Sequence, residues 1–283
     1  MQAMSETRTR TFKIVIMVLY VLVACVFILP ILYMFVSSFK TDSQIVSDMS
    51  TVKAFLPTGK LSLSNYSTIM VEGQFWRFFR NSALIAILNV SIEIVVNSMI
   101  GYALGMLAFK GKGVIISLVI ALAVVPTESV IINKFIVVNS MGLMNSIWGL
   151  AIPSAGYPMF IFLFYNHFKG MPMELVEAAV VDGEKYSGVF WKIMLPLSKP
   201  IVATVAIMGF IRIWGDVLWP TLVTRDETWR TLPLALRALS TDVYVFWGQI
   251  FAFSSLMTLP VLILFLIFQK QFIQSLTMTG IKG

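Results

Sequence analysis

Cysteine and histidine are almost absent from this sequence of 283 residues. Cys25 and His167 are the only residues of their types, so no disulfide can form within the chain and no Cys/His cluster with metal-ligand spacing exists. Zinc chemistry and histidine-based catalysis therefore lack the residues they need. We predict no catalytic residue, no metal site and no cofactor bound by this chain.

Charge is scarce as well. Only 12% of the residues are charged, against about 25% in a typical soluble domain, while 58% are hydrophobic and the mean hydropathy is +0.87. This composition predicts an integral membrane protein. The formal net charge of +7 is modest, and on a membrane protein it indicates contact with anionic lipid headgroups rather than with nucleic acid.

Apolar runs long enough to cross a bilayer, about 20 residues each, occur six times, and the alternation typical of barrel strands is absent. The sequence therefore predicts an all-α integral membrane protein with six transmembrane helices. The first run exceeds the core of about 7–15 residues of a signal peptide and lacks an A-x-A-like cleavage site, so we interpret it as an uncleaved span. The predicted spans are Ile14–Phe39, Ser82–Phe109, Val114–Val138, Ile147–Phe168, Ile201–Val223 and Gln249–Phe268.

Basic residues set the predicted orientation. A cluster at Arg8, Arg10 and Lys13 and the short turn "KGKG" at 110–113 favour a cytoplasmic N-terminus, because short cytoplasmic segments carry an excess of Lys and Arg. Residues 1–13 then form a cytoplasmic N-terminal segment, and residues 14–283 form the transmembrane domain. Both termini and the loop 169–200 lie in the cytoplasm, whereas Lys134 falls on the outer side.

One polar stretch, "EAAVVDGEKYSGVFWKIMLP" at 177–196, interrupts the apolar runs. Glu174 and Glu177 suit a helix N-terminus, Gly183 predicts a left-handed cap, and a second helix over about 185–194 ends before Pro196. Both pieces are shorter than the roughly 12–15 residues at which an isolated helix becomes marginal in water, so they need a partner surface. Two interpretations stay open: an amphipathic loop on the membrane, or a docking site for a cytoplasmic partner.

The spacing of this stretch resembles the EAA loop of binding-protein-dependent ABC importers at every defining position. The motif consists of Glu177-Ala178-Ala179, Gly183 after three residues, Ile193 after nine more, and Leu195-Pro196 after one more. Flanking segments such as "VPTESVIINKFIVVNSMGLMNSIWGLAIP" and "LPLSKPIVATVAIMGFIRIWGDVLWP" resemble the carbohydrate permeases of the maltose-transporter type, and the resemblance covers nearly the whole chain. The family often has Trp-Asn where this chain has Trp214-Gly215-Asp216, and usually Gly where it has Ser275.

The resemblance implies a permease subunit that imports a sugar or oligosaccharide across a bacterial or archaeal cytoplasmic membrane. It implies four kinds of partner: a second homologous permease, two copies of an ABC ATPase, an extracytoplasmic solute-binding protein and membrane lipid. ATP and magnesium would bind the ATPase, and the sequence indeed lacks a G-x-x-x-x-G-K-[ST] motif. The resemblance also implies that the motif residues named above, together with Asp182, couple this chain to the ATPase.

Three alternative functions are kept beside this one. A permease of the same architecture could carry a non-sugar solute, such as glycerol phosphate or a polyamine. A membrane-embedded enzyme acting on lipid or sugar-lipid would want clustered His, Asp or Lys at one membrane face, whereas the acids here are scattered. A passive channel would leave the EAA loop without a role.

Polar residues inside the predicted spans are candidates for lining a solute pathway. Asn89, Glu93 and Asn97 recur every four residues, and Gly101 and Gly105 extend their helix face as a small-xxx-small surface for close helix contact. A carboxyl at the membrane centre costs about 2.5–3.5 kcal/mol on insertion scales, so it should face the helix bundle or water. The row either lines the pathway or forms hydrogen bonds between helices.

Four further candidates lie in the third and fifth spans. Arg212 and Asp216 are four residues apart, which predicts an ion pair on one helix face with Trp214 beside it. Glu128 follows Pro126, where a kink could open it to a cavity. A structural ion pair with interfacial tryptophan is the alternative. The candidate pathway-lining residues are thus Asn89, Glu93, Asn97, Glu128, Arg212, Trp214 and Asp216.

Overall fold

Helices make up every regular element in the part of the chain that the structure describes. The structure is a computed structural model that describes the backbone of residues 2–241 and 244–280 and the side chains of residues 12, 13, 15–241 and 244–269. The helices are α1 (Gln2–Ser37), α2 (Asp42–Asp48), α3 (Ser64–Val71), α4 (Phe75–Met106), α5 (Lys112–Val124), α6 (Ile131–Ser140), α7 (Ile147–Ala151), α8 (Pro158–Lys169), α9 (Glu174–Val181), α10 (Tyr186–Val189), α11 (Leu195–Leu197), α12 (Lys199–Trp214), α13 (Leu218–Val223), α14 (Leu232–Thr241) and α15 (Trp247–Gly280).

Short helical turns of other kinds join some of these helices. Three are 3₁₀ turns and one is a π-helical turn, and they are Val52–Phe55, Thr127–Val130, Ile152–Ser154 and, for the π-helical turn, Phe190–Met194. The predicted all-α fold class is confirmed. The end of the C-terminal tail, residues 281–283, and the side chains of the basic N-terminal cluster at Arg8 and Arg10 lie outside the described residues.

Long apolar helices are of two kinds. Three stretches are unbroken and apolar enough to cross a membrane: Val15–Ser37, Phe75–Met106 and Trp247–Gln269. Three more consist of bent pairs: Lys112–Val124 with Thr127–Ser140 at 102°, Ile147–Ser154 with Pro158–Lys169 at 49°, and Tyr186–Leu197 with Lys199–Trp214 at 80°. By length and composition, the described residues therefore hold three spans, or as many as six if each bent pair is one span.

Proline marks each bend. Val125, directly before Pro126, is extended (φ −72°, ψ 125°), because the ring of a following proline disfavours the α-helical conformation. Pro158 is the first residue of α8, and Pro200 lies in the first turn of α12, where a missing N–H costs little. The kink predicted at Pro126 is thus confirmed.

The fifth predicted span, Ile201–Val223, is interrupted. Helix α12 ends at Trp214 and α13 begins only at Leu218. Gly215 directly follows the last helical residue, and glycine in this position is a common helix stop signal. Arg212 and Asp216, predicted to lie on one helix face, are therefore separated by the end of α12.

Contacts divide the chain into two compact units, of which the first comprises Met1–Phe75 and Leu236–Leu259. Its core includes a buried ion pair between Lys40 Nζ and Asp48 Oδ2 at 3.0 Å, in which the Lys40 side chain is only 1% exposed. The same ammonium donates to the backbone carbonyl of Lys53 at 2.6 Å. The lysine therefore ties the end of α1 to α2 and to the 3₁₀ turn that follows.

The second unit comprises Trp76–Ala235 and Pro260–Gly283, and within it α4 lies unusually close to α8. A Cβ atom on Gly101 would clash with the side chain and backbone of Phe164, and one on Gly105 would lie 2.8 Å from Cβ of Phe168. Only glycine leaves room for this approach. The predicted small-xxx-small contact surface is therefore confirmed, and it faces α8.

Candidate functional site

The predicted coupling loop, residues 169–200 and called the coupling loop below, contains α9 and then turns at Gly183. Gly183 has φ +88°, a conformation that glycine adopts without strain. Its N–H donates to the Val180 carbonyl at 3.0 Å, and the N–H of Glu184 donates to the Ala179 carbonyl at 2.9 Å. This pair of bonds is the Schellman motif that ends a helix at a left-handed residue, so the predicted cap is confirmed.

The second arm of the coupling loop is longer than the sequence predicted. Helix runs from Tyr186 to Leu197, rather than ending near residue 194, and it includes the π-helical turn Phe190–Met194. In this turn the N–H of Leu195 donates to the carbonyl of Phe190, five residues back. The wider turn lies directly before Pro196, whose ring would crowd a carbonyl one α-helical turn earlier, so widening relieves the clash.

The inner side of the coupling loop is packed into the core of the second unit. Apolar side chains from both arms contact the C-terminal ends of α4 and α8. The buried members of this core are Tyr102, Met106, Phe160, Phe164, Phe168, Val176, Ala179, Val189, Phe190, Met194 and Val205. The arms are thus fixed on the helices by apolar burial, which is the partner surface that such short helices require.

The motif residues divide between the two sides of the loop. Ala179 is buried, so it packs inward and offers nothing to another chain, whereas Ile193 and Leu195 are half-buried. On the outer side Val181 is 86% exposed, and no described residue forms a hydrogen bond or ion pair with the Glu177 side chain. The exposed members of the motif are Glu177, Ala178, Asp182, Gly183 and Pro196.

A hydrogen-bonded corner joins the second arm to α12. Ser198 Oγ donates to the Met194 carbonyl at 2.6 Å and lies 3.0 Å from Nε2 of His167 on α8. Since the single hydroxyl hydrogen goes to the carbonyl, Nε2 of His167 carries the hydrogen of the second bond. The only histidine of the chain thus supports the 80° bend, a role that the sequence analysis missed.

The polar row of α4 (Asn89, Glu93 and Asn97) has no solvent exposure. Asn89 Nδ2 donates to the Ala151 carbonyl at 2.7 Å, and Asn97 Nδ2 donates to the Ala155 carbonyl at 3.0 Å. Asn97 Oδ1 also accepts the N–H of Tyr157 at 3.1 Å. The two amides therefore satisfy backbone groups at the break between α7 and α8, which accords with the interhelical interpretation of the row.

Glu93 forms an ion pair with Arg212 of α12. Nη2 of Arg212 also donates to Asn89 Oδ1 at 3.3 Å and to the Ser154 carbonyl at 3.4 Å. The predicted pair of Arg212 with Asp216 is wrong, because α12 ends at Trp214 and the four-residue spacing needs a continuous helix. Asp216 Oδ1 instead accepts the N–H of Trp219 at 3.2 Å and so caps the first turn of α13.

A cavity of about 410 Å³ lies within the second unit, where the breaks of three helices meet. Of the seven candidate pathway residues, Glu128, Arg212 and Asp216 line it. Trp214 does not; it stacks on Phe210 with centroids 5.1 Å apart. The lining consists of Leu122, Val125, Thr127, Glu128, Val130, Ile131, Lys134, Pro153, Ser154, Gly156, Tyr157, Pro158, Arg212, Asp216, Leu218 and Trp219.

Lys134 is the cavity residue that the sequence analysis missed as a site residue. Its Nζ donates to Ser154 Oγ at 2.6 Å and lies 4.1 Å from the ring centroid of Trp219, a cation–π contact. The Arg212 guanidinium lies 5.0 Å from the ring of Tyr157. The signal was present in the sequence: Lys134 lies near the outer end of the predicted third span, Val114–Val138, and a charge within a span indicates function.

Known proteins similar to this chain are transport components. It is 33% identical to the arabinooligosaccharides transport system permease protein AraQ of Halalkalibacterium halodurans, over 93% of this chain and 94% of the relative. It is 28% identical to the trehalose/maltose transport system permease protein MalG of Thermococcus litoralis, over 96% and 97%. Among solved structures, a chain of a bacterial ABC transporter involved in import of the acidic polysaccharide alginate matches with a TM-score of 0.79 and 24% identity, over 92% of this chain and 96% of that one, which supports the fold.

The family model described as "binding-protein-dependent transport system inner membrane component" matches residues 97–278. This stretch takes in the whole coupling loop, the cavity and the hydrogen-bonded corner at Ser198. It covers well over half of the chain. The chain therefore belongs to the family of binding-protein-dependent transport system inner membrane components, and it is a membrane permease subunit of the ABC importer type rather than an enzyme.

Proposed function

We propose that this chain is one of two permease subunits of an ATP-driven importer for a sugar or oligosaccharide. The observation that carries the solute class is that relatives aligned over more than nine-tenths of the chain are named for sugars: arabinooligosaccharides, trehalose/maltose and diacetylchitobiose. The named sugars differ from one relative to the next. The relatives therefore support sugars as the class of solute, and a transport assay identifies the particular sugar.

The assembly that we propose has four chains and an extracytoplasmic solute-binding protein. This chain and a second homologous permease form the pathway through six spans each, two ABC ATPase subunits bind ATP and magnesium, and a solute-binding protein delivers the sugar. It sits in a bacterial or archaeal cytoplasmic membrane with both termini in the cytoplasm. The non-sugar permease is the remaining alternative, since family membership removes the membrane enzyme.

The coupling loop is the proposed contact with the ATPase. Its inner side is fixed by the apolar core, while Glu177, Ala178 and Val181 form an outer face that no described residue covers. A carboxylate and small or aliphatic side chains on an exposed helix suit a groove with basic and apolar walls. The same features on a loop lying flat on anionic lipid would place Glu177 unfavourably against negative headgroups.

Co-purification and uptake test the proposal together. We would tag the chain, extract it gently from its native membrane and identify the co-purifying chains by mass spectrometry. Recovery of an ABC ATPase and a second permease is expected. Reconstituted into liposomes with the binding protein outside and ATP inside, the complex should import a member of a panel of arabinotriose, maltotriose and diacetylchitobiose. Recovery of the chain alone, or with lipid-metabolic enzymes, would overturn the importer proposal.

Two glycines with positive φ allow a matched test of the coupling contact. Gly183 and Gly142 both have positive φ, +88° and +69°, and at both a Cβ would meet open space. Alanine therefore adds similar backbone strain at each position, roughly 1–2 kcal/mol. Gly183→Ala should lower the amount of ATPase retained in the complex and the transport rate, whereas Gly142→Ala should change neither. Equal losses in both variants would refute a specific role for the Gly183 turn.

A further inference from the structure

The cavity of the second unit is built at helix breaks. Val125 and Thr127 flank the break between α5 and the turn that precedes α6, Tyr157 lies at the break before α8, and Asp216 lies in the gap between α12 and α13. Irregular backbone at membrane depth is tolerated only where protein buries it or where it lines a water-filled cavity. In transporters, broken helices typically form the solute site.

The polar groups around the cavity have hydrogen-bonding capacity to spare. One donor position of the Lys134 ammonium is used by Ser154 Oγ, and the ammonium also lies over the Trp219 ring. An ammonium has three donors, and among the described residues only Ser154 accepts a hydrogen bond from it. Among the residues that the structure describes, every hydrogen bond of the Arg212 guanidinium comes from Nη2. Asp216 uses Oδ1 for the cap of α13, so its second oxygen can accept another bond. Both donors and acceptors are therefore available.

The charges around the cavity favour an uncharged ligand. Two cations, Lys134 and Arg212, and two carboxylates, Glu128 and Asp216, line it. Buried Glu93 already neutralises Arg212. An anionic ligand would meet the carboxylates of Glu128 and Asp216 beside Lys134, and a cationic ligand would meet the Lys134 ammonium. A neutral ligand rich in hydroxyl groups can use donors and acceptors alike without an unmatched charge.

We propose that this cavity is a subsite for one neutral sugar unit of the transported solute, and that Lys134 determines specificity by donating to its hydroxyl oxygens. Its volume of about 410 Å³ falls in the range of small-molecule sites. Apolar side chains such as Leu122, Ile131 and Leu218 provide the nonpolar walls that sugar C–H surfaces contact. The inference rests on the proposed import function and adds that this chain itself, not only its partners, contacts the solute.

Filling the cavity is the first test. Leu122 lines it, while Ile120 lies on the same helix, is similarly exposed, and does not. In the reconstituted complex, Leu122→Trp should reduce uptake of the transported panel sugar at least tenfold, because the larger side chain occupies the subsite. Ile120→Trp should stay within twofold of wild type. Equal uptake in the two variants would overturn the proposal.

Replacing the ammonium is the second test. A hydrogen bond from a charged donor is worth about a tenfold effect on binding, so Lys134→Met should raise the half-saturating concentration for uptake about tenfold. Lys134→Arg keeps the charge and the donors and should stay within threefold. Asn133→Met, a change to methionine at the exposed neighbouring residue, should have no effect. Wild-type uptake by Lys134→Met would overturn the role of this lysine.

The results distinguish a failure of the sugar subsite from a failure of the proposed sugar import. If the wild-type complex retains its ATPase and imports a panel sugar but all cavity variants behave like wild type, only the subsite is wrong. If the wild-type complex imports no panel sugar, the sugar proposal itself fails. Trigalacturonate should not compete for uptake; stronger competition by trigalacturonate than by the neutral trisaccharides would overturn the assignment of a neutral ligand.

Discussion

The polar row of α4 and the charged groups of the cavity differ in how they offset the free-energy cost of placing polar groups among apolar helices. Both lie among apolar helices, where a charged or polar side chain needs a partner. Every member of the row is fully buried, and its bonds end on backbone groups or on Arg212. Lys134 and Arg212 are only half-buried and have unused donors. The row can therefore stabilise packing, whereas the cavity can also receive a ligand.

Polarity within a span does not by itself identify a pathway. A four-residue repeat of polar side chains marks one helix face, but that face can be turned entirely toward other helices. Substitutions in the row should accordingly act on stability first. Substitutions in the cavity should act on transport and leave stability nearly unchanged.

The largest stability effect is expected for Glu93→Leu. Removing one member of a buried ion pair leaves the other charge uncompensated, at a cost of about 3–5 kcal/mol, and here that charge is Arg212. Denaturation in detergent micelles should show the loss. The double variant Glu93→Leu with Arg212→Leu should recover part of it, because neither charge is then left alone. An additive double variant would contradict the coupling of these two residues.

A smaller loss is expected for Asn97→Leu. The change removes the partner of the Ala155 carbonyl and of the Tyr157 N–H, and an unsatisfied buried backbone group costs about 1–3 kcal/mol. The same denaturation measurement applies. Asn139→Leu at an exposed asparagine of α6 is the matched control and should change stability by less than about 0.5 kcal/mol. Similar losses in both variants would mean that the row is not structural.

Ser154→Ala should lower the stability of the fold less than Asn97→Leu does. It removes the acceptor of the Lys134 ammonium, but cavity water can replace that bond, so the expected loss is about 1 kcal/mol or below. Uptake should fall more clearly than stability, because the ammonium loses its fixed position. A loss of stability as large as that of Glu93→Leu would erase the contrast between the row and the cavity.

The smallest effect on stability is expected at the exposed ion pair of Glu184 and Lys192, which are 2.5 Å apart. This pair belongs neither to the polar row of α4 nor to the cavity. The hydrogen bond from Lys192 holds the pKa of Glu184 below its ordinary value of 4.5. The unfolded chain therefore binds the proton more readily, and the pair stabilises the fold above about pH 4.5 and loses that effect as the pH falls through the lowered folded pKa. Glu184→Gln should lower the thermal midpoint only slightly at pH 7 and not at all at strongly acidic pH.

Local features were predictable from sequence, and features built from distant residues were not. The cap at Gly183, the kink at Pro126 and the glycine contact surface of α4 each follow from a few neighbouring residues. Arg212 pairs with Glu93, which lies 119 positions earlier in the sequence, and no spacing rule predicts that pair. The pair with Asp216 was wrong because helix continuity was assumed past Gly215.

The cavity could not be predicted from sequence for the same reason. Its lining comes from residues 122 to 219, and it exists only because three separate helix breaks lie together. Each break has a local signal in Pro126, Pro158 or Gly215, but only the tertiary structure brings the three breaks together. The role of Ala179 was likewise hidden: the motif names it, while only the folded loop reveals that it packs inward.

The second arm of the coupling loop also has a mechanical consequence. At about 1.5 Å per residue, the helix Tyr186–Leu197 is about 18 Å long, and it meets α12 at 80°, nearly a right angle. A shift of about 3 Å at the far end of the arm thus corresponds to a rotation of about 10° at the corner. Because Ser198 is bonded to both His167 and Met194 there, a shift perpendicular to both helices would apply torque to α12 about its own axis.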